Sequence, residues 1–129
     1  MIWQKRIGAP VQAISIVTPT FRMARFLPEA IESVLSQDIP DLEYFVADGG
    51  SEDGTVEILR RYQDRLNWRS APDNGAADAL AAAFSQARGD ILGWLNADDV
   101  LLPGALHAVL DAFEANRDRR QLELPAGDN

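Results

Sequence analysis

Two rhythms of apolar residues alternate along the chain. Short runs at Ala13–Thr18, Leu42–Ala47, Asn67–Ser70 and Ile91–Leu95 have the length and the β-branched or aromatic content of strands. Between them, apolar residues recur at spacings of three and four, the period of a helix that buries one face. The first such stretch carries Phe26, Leu27, Ala30, Ile31, Val34 and Leu35, and the second Val56, Ile58, Leu59, Tyr62 and Leu66. The third, rich in alanine, runs over 76–87 with Ala77, Leu80, Phe84 and Ala87 as its stripe; the fourth carries Leu106, Val109, Leu110 and Phe113. Punctuation agrees with this reading. Pro19 is expected to stop the first strand and Pro28 fits a first helical turn. Ser51 or Asp53 can cap the second helix, and Gly89 ends the third.

Strands alternating with helices predict an α/β fold with a mainly parallel sheet and helices on both faces. Numbering the predicted strands by appearance, the expected order is 3-2-1-4. Residues 1–12 show no period and read as a lead-in, with Trp3 a candidate to pack back on the domain; residues 117–129 read as a flexible tail. In this order Ile91–Leu95 becomes a sheet edge although it is apolar like a central strand, so self-association through it is expected unless the tail folds over it.

Right-handed crossovers bring the carboxyl ends of parallel strands to one rim, where open α/β sheets bind ligands. That rim collects Thr18 to Phe21, Asp48 to Ser51, and Asn96 to Asp99. Two carboxylates as close as Asp98 and Asp99, about 6 Å apart, repel by about 2–3 kcal/mol at an effective dielectric near 20. A hard divalent cation would offset that cost. The competing reading makes one of them the cap of a helix opening at Pro103, which leaves the other unexplained. With Asp48 the rim holds three carboxylates, and Gly49 and Gly50 allow close backbone approach. A metal-bound polyphosphate would use all of these features.

Composition narrows the choice. The 129 residues carry a net charge of −8, with eleven Arg and only Lys5 as basic residues besides. A nucleic-acid partner is therefore not expected, and a lysine-dependent phosphate site in the body of the domain is excluded. With no Cys, disulfides, thiolate nucleophiles and Cys-ligated zinc are excluded together. A phospho-acceptor receiver domain fits poorly, because it needs acids after the first strand and a lysine. No apolar run reaches the roughly 18 residues of a membrane span. The expected location is the cytoplasm, either free or peripheral at the inner face of the membrane.

Four segments, in order and spacing, resemble the nucleotide-binding half of glycosyltransferase family 2, which has the GT-A fold: S-I-V-T-P-T-F at 15–21, F-V-A-D-G-G-S-E-D-G-T-V-E-I-L at 45–59, P-D-N-G at 72–75, and G-W-L-N-A-D-D at 93–99. The resemblance spans 13–116 and implies a partial nucleotide-sugar-binding domain there. It implies that Pro19, Thr20 and Phe21 lie along the nucleoside, with Phe21 packing on the base. By the same resemblance Asp48 reads base and ribose, and Asp78 lies near the sugar phosphate. Asp98 contributes to both donor and metal, and Asp99 binds Mn²⁺ or Mg²⁺. Gly49 stands where the family's pattern has a second acid, and Asn96 where many relatives have Asp. The implied function is metal-dependent, inverting transfer of a sugar from a nucleoside diphosphate to a glycan or lipid-linked acceptor. The family's general base lies beyond the matched segments, so the chain reads as truncated, with a catalytically incomplete nucleotide-sugar-binding module as the alternative.

Overall fold

A computed structural model describes residues 1–6 and 13–125. Its elements, in chain order, are β1 (Ile2–Lys5), β2 (Ile14–Thr20), α1 (Leu27–Leu35), β3 (Glu43–Asp48), α2 (Thr55–Arg61), β4 (Asn67–Ser70), α3 (Ala76–Gln86), β5 (Ile91–Trp94), α4 (Ala105–Ala115) and β6 (Gln121–Glu123). They form one six-stranded sheet in the order β4-β3-β2-β5-β1-β6. Strands β4, β3, β2 and β5 run parallel, in the order expected from the sequence, while β1 runs antiparallel to β5 and β6 antiparallel to β1. All seven residues of β2 are buried, so both faces of the sheet are covered. Ile14, Ile16, Tyr44 and Val46 join residues of α1, α2 and α4 in the main core, and α3 lies against β2 and β3.

The outer strands correct the expectation of an exposed edge. The lead-in and the tail supply β1 and β6, so β5 is an interior strand and the route to self-association through it is closed. The rest of the lead-in and tail, 7–12 and 126–129, falls outside the described residues. Trp3 explains the docking. It is 1% exposed and lies over Gly93, where an added Cβ would sit 2.4 Å from its Cε3 and Cζ3. Burying such a ring stabilises by about 3 kcal/mol, and the missing side chain of Gly93 makes room for it. Arg6 adds a polar anchor, donating from its guanidinium to the Ala87 carbonyl at 2.5 Å, beside the end of α3.

Pro19 does not stop its strand. The β2–β5 pairing ends at Val17↔Trp94, whereas β2–β3 pairing continues to Thr20↔Asp48. The Pro19 nitrogen falls on the β5 side beyond that last pair, so its missing N–H costs no ladder bond. The second helix ends at Arg61, earlier than its apolar period suggests, and Leu66 reaches the core from the turn that follows. Helix α4 starts from Gly104, in the left-handed region at φ +83°, with no side-chain cap. Its Leu106 N–H is met instead by Gln37 Oε1 at 3.1 Å. Neither Asp98 nor Asp99 is the cap.

Gly93→Ala is expected to destabilise the fold by about 1–3 kcal/mol in urea unfolding, by pushing Trp3 off the sheet. In a Trp3→Ala background the same substitution should cost markedly less; equal costs in both backgrounds would show that the contact is not what holds β1.

Candidate functional site

The carboxyl ends of β2, β3 and β4 are tied through one buried carboxylate. Asp48 closes β3 and is 2% exposed. Its Oδ1 accepts the Ser51 hydroxyl at 2.6 Å, and its Oδ2 accepts the Ser51 N–H at 2.9 Å and the Ser70 hydroxyl at 2.7 Å. The backbone repeats the connection: Gly49 N–H donates to the Thr20 carbonyl at 2.9 Å and Ala71 N–H to the Asp48 carbonyl at 3.0 Å. Ser51 Oγ also accepts the Arg22 N–H at 2.7 Å. That bond holds Arg22 at φ +56°, a left-handed conformation costing about 1–2 kcal/mol for a residue with a Cβ. Asp53, expected as a helix cap, instead accepts the Thr55 hydroxyl and the Ala24 N–H. The Thr55 hydroxyl does most to hold its carboxyl below the usual range. The loops after β2 and β3 are thus laced together, leaving Phe21 50% exposed with the Arg22 guanidinium 4.8 Å from its ring centroid.

Beneath Phe21 opens a cavity of about 570 Å³, within the range of small-molecule sites. It is lined by Pro19, Thr20, Phe21 and Met23 from the end of β2 and the turn after it, and by Ala47 and Gly49 from the end of β3. Asp73, Gly75, Ala76 and Ala79 line it from the loop after β4 and from α3, and Asn96, Ala97 and Asp98 from the turn after β5. Both glycines of Asp48-Gly49-Gly50 serve this packing. Gly50 sits at φ +92°, and a Cβ there would meet the Pro72 nitrogen at 3.3 Å. The Thr20 Oγ1 is buried with no hydrogen-bond partner in a residue that lines the cavity.

Of the residues expected at the site, Pro19, Thr20, Phe21 and Asp98 line this cavity. Asp48 lies under it with both oxygens engaged. Asp78 is exposed in the first turn of α3, accepting the Asn74 N–H at 3.4 Å, and is not among the lining residues. Asp99 is exposed beside Asp98; its N–H donates to the Asn96 carbonyl at 3.0 Å, closing a tight turn at the end of β5. Asp73 and Met23 are lining residues that the sequence reading did not assign; the turn signal of Pro72-Asp73-Asn74-Gly75 was the available clue.

Among the described residues no three His, Cys, Asp or Glu side chains converge as a metal cage, and His107 is exposed on α4. The turn carries Asn96, Asp98 and Asp99 within four residues, and Asn96 and Asp98 line the cavity. Mg²⁺-type sites commonly take one or two carboxylates and complete their shell from substrate phosphates and water. The donor set fits a cation shared with a phosphate ligand. A second, polar depression of about 590 Å³ lies at the opposite strand ends and includes Asp41, Glu43, Asp64, Arg65 and Arg88. Burial raises the Glu43 carboxyl, but hydrogen bonds from the Arg88 N–H and the Ser15 hydroxyl outweigh it and hold Glu43 below the usual range.

No helix among the described residues is long and apolar enough to cross a membrane. The chain is 34% identical over 106 residues to the hyaluronan synthase of Pasteurella multocida, an alignment covering 80% of this chain and 11% of that protein. Across the first curated relatives it spans between 11% and 33% of their length. Its fold is that of S. aureus TarS 1–349, solved with UDP-GlcNAc (TM-score 0.73, 23% identity, 82% of this chain and 32% of that one). It is also similar to the mannosyltransferase PcManGT from Pyrobaculum calidifontis, solved with GDP-Man and Mn²⁺ (TM-score 0.69, 27% identity, 83% and 33%). The profile of glycosyl transferase family 2 matches residues 15–119, and the chain belongs to that family.

Proposed function

We propose that this chain binds a nucleoside-diphosphate sugar across its strand ends and forms the donor-binding half of a glycosyltransferase. The observation that carries the reading is the one cavity lined by the exposed Phe21 together with Pro19, Thr20 and Asp98. Each suits one part of such a donor. The ring offers a stacking face for the base, and Pro19 and Thr20 lie along the nucleoside. Asp98 and Asp99 would hold Mn²⁺ or Mg²⁺ against the diphosphate, which is how a chain of net charge −8 can accept a polyphosphate. When bound, the cation neutralises the charge that develops on the departing diphosphate.

The protein's own residues position the donor. Asp48 fixes three strand ends, so the cavity is formed before the ligand arrives and little ordering remains to be done on binding. Asp78 joins the proposal through the family resemblance alone, as a residue near the sugar phosphate. The acceptor in this reading is a glycan or lipid-linked glycan, and transfer inverts the anomeric carbon by a single displacement. The general base for the acceptor hydroxyl is not assigned to a residue of this chain. The reading places the protein in the cytoplasm, free or at the inner face of the membrane.

Calorimetric titration with UDP and GDP, with and without Mn²⁺, tests the metal assignment. A lost charge-assisted contact of about 1.5–3 kcal/mol predicts about tenfold to hundredfold weaker binding for Asp99→Ala in Mn²⁺. Binding of equal strength with and without metal, unchanged in Asp99→Ala, would contradict it. For Phe21→Ala, loss of a stack worth about 1–3 kcal/mol predicts at least about fivefold weaker nucleotide binding, read in the same titration.

A further inference from the structure

Gly49 floors a slot that two different groups face. A Cβ placed on it would lie 3.3 Å from Phe21 Cδ1 and 3.3 Å from both Asp73 Oδ1 and Oδ2. The exposed aromatic ring and the carboxylate therefore converge on one point, which the absence of a side chain at residue 49 leaves open. Asp73 is placed there by its own loop. Its Oδ1 accepts the Gly75 N–H at 2.9 Å, and Pro72 packs on Gly50 where any Cβ would crowd it. The neighbouring Ala71 N–H is fixed to the Asp48 carbonyl. The carboxylate is thus oriented before any ligand is present, and with one oxygen on Gly75 the other has capacity to accept.

An aromatic face beside an acceptor-only group suits a flat heterocycle whose ring edge donates. Uracil and guanine carry a ring N–H flanked by carbonyl or amino groups. Adenine and cytosine present an unprotonated ring nitrogen at the corresponding place, and its lone pair would face the carboxylate. We propose that Asp73 is a specificity-determining residue that accepts the ring N–H of the nucleobase and selects uridine and guanosine donors against cytidine and adenosine donors. The proposal rests on the nucleotide-binding reading above and assigns its base-recognising acceptor to the loop after β4.

Titration of UDP, GDP, CDP and ADP in Mn²⁺ into wild type and Asp73→Asn tests it. Asn keeps the shape and an oxygen for the Gly75 N–H but can donate to cytosine. In wild type at least one of UDP and GDP should bind about tenfold or more tightly than CDP and ADP, the scale set by one matched base contact. Asp73→Asn should weaken that nucleotide and strengthen CDP, while binding stays Mn²⁺-dependent. A role for Asp73 confined to holding its loop would weaken all four alike and would overturn the assignment. Equal binding of all four by wild type, or a wild-type preference kept in Asp73→Asn, would also overturn it while leaving nucleotide binding intact. Binding of none of the four would overturn the nucleotide reading and this assignment together.

Discussion

A carboxylate that is 2% exposed and accepts three hydrogen bonds organises this molecule. Asp48 sits where β3 ends, and its partners belong to the following turn and to the end of β4. The Ser51 hydroxyl that donates to it also receives the Arg22 N–H from the loop after β2. Removing any one partner would leave a buried charge short of donors, which costs more than the bond itself contributes. The strand ends therefore stand or fall as a unit, and the position of Phe21 follows from that coupling. Asp48 holds the cavity in shape; Phe21, Thr20 and Asp98 line it.

Much of the fold could be read from the chain because each parallel strand and each helix carries its own apolar pattern. That β2, β3, β4 and β5 run parallel followed from their alternation with helices. What could not be read was the sheet's extension. Ile2–Lys5 and Gln121–Glu123 have no strand signature of their own, and they pair because Trp3 finds the gap over Gly93. That complementarity spans ninety residues of sequence and leaves no local trace. Pro19 misled for a related reason: whether its missing N–H matters depends on which neighbour has already ended, a property of the sheet rather than of the strand.

The site was legible where residue type alone limits the possibilities. Adjacent acids at a strand end are hard to explain by capping alone, whereas Phe21 was expected at the site from the family resemblance; Asp98 and Phe21 do line one cavity. Asp48 was legible as important but not as buried, since sequence cannot tell a carboxylate facing a ligand from one facing two serines. Asp73 stood in the P-D-N-G turn, one of the segments that carry the family resemblance, but its residue type did not decide between a turn role and a site role. Its place became visible only with the distance across Gly49. Gly49, which reads in sequence as a lost acid, reads in three dimensions as room for a carboxylate arriving from another loop, and Gly50 as room for Pro72.

The proposed nucleotide donor would bind at the carboxyl ends of the strands, in the cavity that Asp48 shapes. Backbone amide shifts recorded by NMR during titration with UDP or GDP and Mg²⁺ report this directly. Perturbations are expected to concentrate in Thr20–Met23, Gly49, Asp73–Ala79 and Asn96–Asp99. Perturbations gathered instead around Asp41, Glu43, Asp64, Arg65 and Arg88, the polar depression at the opposite strand ends, would contradict it.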